Sequence, residues 1–153
     1  MVQPYLIYCN IVWGNAAASS IINLIHLQKR AVRLITHSSY RVSTKLLFKQ
    51  LRILPLMDLH QLHVGLFVYR VRVKSLPQTC LHHIICLDSN RRNYNLRSVH
   101  TIIPAPARTK IREKYIGVAG TKLWNSLPDI VTSSSSVPEF KRNMITYLNA
   151  LVV

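Results

Sequence analysis

The sequence predicts a mainly α-helical fold with a helical N-terminal half, an irregular basic middle with room for short strands, and a closing C-terminal helix. Two observations support this prediction. Apolar side chains recur at helical spacing through the first half, and Ser or Pro residues that start helices precede several of these runs. After residue 77, no long helical period appears until about residue 118. With 153 residues, 49% of them hydrophobic, the chain is long enough to build a core.

Two helices are expected before residue 40. The first covers residues 4–12, is short and apolar, and is ended by Gly14-Asn15. The second begins at a cap formed by Ser19 or Ser20 and runs to about Thr36. Its apolar positions form a broad stripe. Its basic positions include Lys29 and Arg33, which are four residues apart and share a face. This helix is therefore predicted to be amphipathic with a basic outer face.

Two further helices complete the N-terminal half. Ser43 caps the third, and basic residues follow it at steps of four and three on one side. Pro55 opens the fourth at its first turn, where a missing N–H costs nothing. This helix is expected to run to about Ser75, because Pro77 pushes the residue before it out of the helical region.

The second half of the chain contains fewer helical signals. Basic and other side chains alternate over residues 108–114, which is typical of a strand with its basic residues on one face. Residues 120–127 form a short helical turn, in which Trp124 is expected to anchor core packing. Ser136 caps the last helix, and Glu139 completes a capping box three residues later.

The charge balance is strongly basic. The chain has 20 Lys and Arg residues against 5 Asp and Glu residues, a formal net charge of +15 with His neutral. Such an excess indicates a polyanionic partner, of which nucleic acid is the first candidate; the alternative is a solvated basic surface without a specific partner. The closest two carboxylates are ten residues apart in sequence, so no local motif for a two-metal polymerase or nuclease site is present.

The candidate nucleic-acid contacts are basic residues on predicted helix faces and in the basic middle, together with one tyrosine. Guanidinium groups bind phosphate with two hydrogen bonds and stack on bases, and a tyrosine ring offers a further stacking face. Phosphate contacts of this kind carry little base readout. The predicted contact residues are Lys29, Arg30, Arg33, Lys45, Lys49, Arg52, Arg91, Arg92, Tyr94, Arg97, Arg108, Lys110, Arg112 and Lys114.

No cofactor or metal is expected. One group of cysteines and histidines invites a zinc interpretation: Cys80, His82, His83, Cys86 and His100. The interpretation is disfavoured because five residues separate the two cysteines and no second ligand pair follows. Residues 1–28 carry no charge, but polar side chains interrupt the run. Neither a membrane-spanning helix nor a signal sequence is therefore expected, and no membrane partner is predicted.

Several ordered motifs are characteristic of one family. The longest are YCNIVWGN at residues 8–15, LQKRAVRLIT at 27–36, NYNLR at 93–97 and LWNSLP at 123–128. Shorter matches lie at residues 4–6, 43–44, 47–48, 51–54, 66–69, 120 and 140–141. In order and spacing these motifs resemble the C-terminal region of reverse transcriptase polyproteins from non-LTR retrotransposons of the jockey and CR1 kind. The resemblance covers nearly the whole chain.

The resemblance implies a domain organisation and a function. Residues 1–76 would form the helical, thumb-like region that grips a primer–template duplex through its phosphates, and residues 77–153 its C-terminal extension. The family's palm, with its paired aspartates, has no counterpart here, so no catalytic residue is carried over. In the full-length protein that palm would be an intramolecular packing partner.

The expected function is that of a truncated fragment of a transposable-element RNA-directed DNA polymerase, which binds the nucleic-acid backbone (RNA, DNA or hybrid duplex) without catalysis. Because it lacks the palm, the chain is not expected to be an enzyme. Two alternatives stay open. The chain is a free-standing basic nucleic-acid-binding module, or it is an interaction protein of a membrane surface whose uncharged N-terminus inserts.

Overall fold

Helices dominate the computed structural model, which describes residues 3–77, 79–80, 102 and 104–151. Within these residues it contains nine helices and no strand, which confirms the mainly α prediction. In chain order they are α1 (Gln3–Ile7), α2 (Asn10–Trp13), α3 (Ala18–Ile35), α4 (Thr44–Leu51), α5 (Leu56–Arg72), α6 (Lys110–Glu113), α7 (Ile116–Ser126), α8 (Asp129–Thr132) and α9 (Val137–Leu151).

The chain divides into two compact units. Unit 1 consists of Met1–Gln61 and Ile145–Val153, and unit 2 consists of Leu62–Met144. The division passes through α5 and α9, so each of these helices supplies residues to both units. The boundary after residue 76, which follows from the family resemblance, stays a prediction.

The predicted first helix is divided in two. Cys9 lies between α1 and α2 and has φ 48°, in the left-handed region that interrupts a helix. The break leaves the Tyr8 carbonyl to accept a hydrogen bond from the Trp13 indole N–H at 2.7 Å. As expected, the helical segment stops before Gly14. The expectation of one continuous helix over residues 4–12 is therefore wrong.

Helices α3 and α4 pack together to form a small core in unit 1. Val32 of α3 and Leu47 and Phe48 of α4 are buried against one another, with Leu51 and Ile53 packed at the edge. Helix α4 begins after Ser43 as predicted, although the Ser43 side chain makes no capping hydrogen bond. Helix α3 begins after Ala17, so neither Ser19 nor Ser20 is its cap.

One side-chain amide connects α3 to the start of α5. The Gln28 Nε2 donates to the Leu54 carbonyl at 3.2 Å, and its Oε1 accepts from the Leu56 N–H at 2.9 Å. Pro55 lies between these two backbone groups, immediately before α5. The amide therefore satisfies polar groups that the chain's entry into the helix leaves unpaired.

The core of unit 2 is built around three aromatic rings. The Tyr69 and Phe140 rings are stacked with centroids 4.6 Å apart, and the Trp124 ring lies 5.9 Å from Phe140. Trp124 is 2% exposed, which confirms its predicted place in the core. At Gly120 an added Cβ would lie 3.0 Å from the Val68 Cγ2, so α7 approaches α5 closely at this position and a side chain there would crowd Val68.

The start of α9 largely follows its predicted capping box. The Ser136 hydroxyl accepts a 3.4 Å hydrogen bond from the Glu139 N–H. The Glu139 carboxylate accepts from the hydroxyl and the N–H of Ser135, at 2.6 and 2.9 Å, so the reciprocal bond is shifted by one residue. These bonds, led by the one from the Ser135 side chain, lower the pKa of Glu139.

Candidate nucleic-acid interface

Helix α3 has three chemically distinct faces. Its buried face carries Ile21 and Val32, with Ile25 and Gln28 half-buried beside them. A second face carries basic and histidine side chains at positions that recur every three or four residues. A third face is apolar and exposed. Its members are Leu24, Leu27, Leu34 and Ile35.

The basic face of α3 lines an open cleft of about 570 Å³. His26, Lys29, Arg30 and Arg33 contribute from three consecutive turns of the helix, and Tyr40 contributes from the loop between α3 and α4. The loop returns toward the helix because His37 has φ 48°, which turns the chain at the end of α3. We call this feature the α3 cleft.

Arg33 and Tyr40 are in direct contact within the α3 cleft. The guanidinium carbon of Arg33 lies 5.0 Å from the centroid of the Tyr40 ring, in cation–π geometry. The Nε atom of Arg33 is buried and has no hydrogen-bond partner among the described residues. Tyr40 is 85% exposed. The cleft therefore combines a partly desolvated hydrogen-bond donor with an aromatic ring that is open to solvent.

The positive charge of the α3 cleft is poorly compensated. Unit 1 contains seven Lys or Arg residues and one carboxylate, Asp58, so its formal net charge is +6. In the part of the chain that the structure describes, no carboxylate forms an ion pair with Lys29, Arg30 or Arg33. Burial raises the pKa of Asp58. A concave surface with one sign of charge attracts anions.

A second group of predicted contacts lies on α4. Lys45 and Lys49 are four residues apart and therefore share one face, and Arg52 follows directly after the helix. All three are exposed. Arg52 has φ 53°, so it occupies the left-handed position that ends α4. Lys45 and Lys49 therefore lie on one exposed face of α4 as predicted, whereas Arg52 lies outside the helix, and its place on the same side stays a prediction.

The predicted strand over residues 108–114 is wrong. Lys110–Glu113 form the helical turn α6, which Thr109 caps by accepting a hydrogen bond from the Arg112 N–H at 3.2 Å. Because successive helical residues are about 100° apart, Lys110 and Arg112 point about 200° away from each other. Arg108, Lys110, Arg112 and Lys114 are all exposed, but they do not form the single basic face that a strand would give.

Four of the predicted contacts lie outside the described residues, namely Arg91, Arg92, Tyr94 and Arg97. They stay predictions. Of the residues considered for zinc, only Cys80 is described. Within the described ranges, no three His, Cys, Asp or Glu side chains are grouped so that they could hold a metal ion. The described helices include none with both the length and the apolarity to cross a bilayer.

Sequence reasoning missed two residues of the α3 cleft. His26 precedes Lys29 and Arg30 by one helical turn, so its position on the basic face was available from spacing alone. Tyr40 is different, because it reaches the cleft through the turn at His37. That turn contains no glycine, the residue that usually marks a left-handed helix end.

Comparison with known proteins does not assign a family or a function to this chain. No family model matches the chain, and neither does any of the curated proteins or solved structures compared with it. The functional interpretation therefore depends on the described residues and on the sequence motifs.

Proposed function

We propose that this chain binds the sugar–phosphate backbone of nucleic acid without polymerising it, and that it corresponds to the C-terminal region of a non-LTR retrotransposon reverse transcriptase. The observation that supports binding most directly is the α3 cleft. Lys29, Arg30 and Arg33 are brought together there, and none of them forms an ion pair with a carboxylate among the described residues. A polyanion supplies the charge that this surface lacks.

The chemistry of the basic side chains favours phosphate as the ligand group. The planar guanidinium groups of Arg30 and Arg33 can each donate two hydrogen bonds to a phosphate, whereas Lys29 acts as a compact point charge. The same unit offers three further exposed cations, which are Lys45 and Lys49 on α4 and Arg52 directly after it. Contacts of this kind fix a nucleic-acid backbone without reading its sequence.

The origin proposed for the chain comes from its ordered motifs. They extend from the N-terminal helices to α9 and resemble the thumb and downstream region of the retrotransposon enzymes. The part of the family that carries the paired aspartates has no counterpart among these residues, so we assign no catalytic residue. Primer extension by the chain alone is expected to give no product on RNA or DNA templates. An extended primer would overturn the non-catalytic part of this proposal.

The salt dependence of binding tests the proposed backbone contacts. The dissociation constant for a fluorescent 20-base-pair duplex is measured by anisotropy between about 50 and 300 mM NaCl. Each phosphate that the protein neutralises contributes roughly −0.9 to the slope of log affinity against log salt. The triple variant Lys29→Gln/Arg30→Gln/Arg33→Gln is therefore expected to lose between about two and three units of slope.

A matched control removes the same charge elsewhere. Arg70→Gln/Lys122→Gln/Lys141→Gln replaces three exposed cations of unit 2 that are not among the predicted contacts. This variant is expected to bind with nearly the wild-type slope. If both triple variants lose the same slope, only diffuse charge matters and the α3 cleft is not the interface. Affinity that does not depend on salt, or no binding at low salt, would refute the proposal itself.

One observation favours a second candidate, binding to a membrane surface. Leu27 and Leu34 are exposed on the apolar face of α3, and Arg30 lies beside them at the border of the basic face. Adjacent apolar and basic faces are typical of helices that lie on anionic bilayers. Sedimentation with vesicles decides between the candidates, because a membrane-surface protein is retained by phosphatidylserine vesicles at salt concentrations that release it from duplex DNA.

A further inference from the structure

We infer that the α3 cleft accepts an unpaired nucleotide, with the base stacked on the Tyr40 ring and the adjacent phosphate bound by Lys29 and Arg30. The inference rests on the proposed function and makes its ligand more specific. It assigns the cleft to single-stranded nucleic acid in preference to a continuous duplex.

The Tyr40 ring provides a stacking surface. The guanidinium carbon of Arg33 lies over one of its faces, 5.0 Å from the centroid. Because 85% of Tyr40 is exposed, the opposite face is open to solvent. The cation–π contact places the ring beside the basic face of α3, so a base that stacks on the open face lies near the cations of the cleft. Aromatic side chains next to a basic groove are the common arrangement of proteins that bind single strands.

Arg33 supplies a second reason to expect a ligand. Its Nε atom is buried without a partner among the described residues, although buried donors are nearly always hydrogen-bonded. Its guanidinium already contacts Tyr40, which limits how far it can turn toward solvent. We expect the Arg33 side chain to rotate on ligand binding, so that this atom becomes accessible and donates to a phosphate oxygen or a base carbonyl in the cleft.

The size of the cleft agrees with a single nucleotide. Its volume of about 570 Å³ lies within the range of roughly 300–1,000 Å³ that small-ligand sites occupy. In a duplex the faces of each base are covered by its neighbours, so a base must leave the stack before an aromatic side chain can contact its face. Stacking on Tyr40 is therefore expected to favour single-stranded nucleic acid over a duplex, whereas the phosphate contacts are common to the two ligands.

Tyr40 variants test this inference. The dissociation constants of labelled dT12 and of a 12-base-pair duplex are measured by anisotropy at one salt concentration. Tyr40→Ala is expected to weaken dT12 binding by about 5- to 150-fold, the equivalent of one stacked base, and to change duplex binding less than twofold. Tyr40→Phe keeps the ring and is expected to bind dT12 like the wild type.

An abasic oligonucleotide separates stacking from phosphate binding. A 12-mer of deoxyribose phosphate without bases should bind wild type and Tyr40→Ala equally, because it has nothing to stack on the ring. Circular dichroism melting controls for folding, and since Tyr40 is exposed we expect both variants to melt like the wild type.

The outcomes distinguish this inference from the proposed function. Equal weakening of dT12 and duplex by Tyr40→Ala, no weakening of either, or a Tyr40→Phe variant as weak as Tyr40→Ala overturns the unpaired-nucleotide site. Backbone binding survives those results if the Lys29→Gln/Arg30→Gln/Arg33→Gln variant still loses its salt slope. If wild type binds neither dT12 nor duplex, both proposals fail together.

Discussion

The imidazole of His60 connects α2 and α5 within unit 1 by three polar contacts. Its Nδ1 lies 3.1 Å from the Asn10 carbonyl oxygen and 3.0 Å from the Asn10 Oδ1, and its Nε2 lies 3.1 Å from the Asn15 Oδ1. His60 and Asn10 are both buried. Gly14 is required beside them, because a Cβ at this position would collide with the imidazole ring. These residues form a small polar core that holds the short α2 in place.

This polar core makes stability depend on pH. Burial lowers the pKa of His60 below its ordinary value of 6.5, although the hydrogen bond with the Asn10 carbonyl opposes the shift. The unfolded chain therefore takes up a proton at a higher pH than the folded chain. Stability is expected to fall as the pH drops through about 6.5, and to stop falling once the folded protein also binds the proton.

Thermal melting between about pH 5 and 8 checks this expectation. The melting temperature of the wild type should decrease toward acidic pH more steeply than that of His60→Gln, which cannot take up the proton. His26→Gln serves as the control for the loss of one imidazole, because His26 is exposed. Parallel curves for wild type and His60→Gln would contradict the prediction.

At the scale of the helices, three C-terminal ends are closed by the same hydrogen-bond pattern, and none of them uses glycine. His37, Arg52 and Lys74 have φ values of 48°, 53° and 53° and follow α3, α4 and α5. In each case the backbone N–H of the following residue donates to the carbonyl oxygen of the residue five positions before it. The three N···O distances are 3.0, 3.0 and 2.9 Å. This is the Schellman pattern, in which a left-handed residue closes the helix. It also explains why α5 ends at Arg72, before the predicted end at about Ser75.

Left-handed backbone is strained for residues with a Cβ, so replacing such a residue with glycine should raise the stability of the protein. We expect His37→Gly to raise the stability by about 0.5–1 kcal/mol, since glycine adopts this conformation without a steric penalty. The free energy of unfolding in urea measures the change. His37→Ala keeps the Cβ and should give no such gain, and a gain of the same size in both variants would show that backbone strain is not the cause.

The helices show what the sequence could and could not predict. The common face of Lys29, Arg30 and Arg33 was predictable, because i to i+4 geometry is local and the helix is long. The break at Cys9 and the helical turn around Lys110 were not. Each depends on one backbone torsion or one capping hydrogen bond that leaves no periodic trace in the sequence. Tyr40 belongs to the same class, since its place in the α3 cleft is set by the turn at His37.

For the whole molecule, the dominant quantity is charge. A formal net charge of +15 on 153 residues disfavours the compact state through repulsion between like charges. Salt screens this repulsion, so it should stabilise the free protein while it weakens the nucleic-acid binding that we propose. The two effects have opposite signs and a common origin.

Melting in NaCl tests the whole-molecule prediction. Between about 50 and 300 mM NaCl the melting temperature of the free protein should rise by roughly 2–4 °C, the equivalent of about 1 kcal/mol for a chain of this size. The variant Lys29→Gln/Arg30→Gln/Arg33→Gln has a formal charge of +12 and should show a smaller rise. A melting temperature that falls with NaCl, or that rises equally in both proteins, would contradict this explanation.

The three faces of α3 have a consequence for how mutations in this segment would be tolerated. Changes at Ile21 or Val32 would act through folding, because both side chains are buried. If the α3 cleft binds nucleic acid as we propose, changes at Arg30 or Arg33 would act mainly through ligand affinity. The effect of a random substitution in α3 would therefore depend on its face, and the faces recur with the helical period of 3.6 residues. Substitutions on the buried face would lower the amount of folded protein, and substitutions on the basic face would lower affinity. Substitutions on the exposed apolar face would change either quantity little.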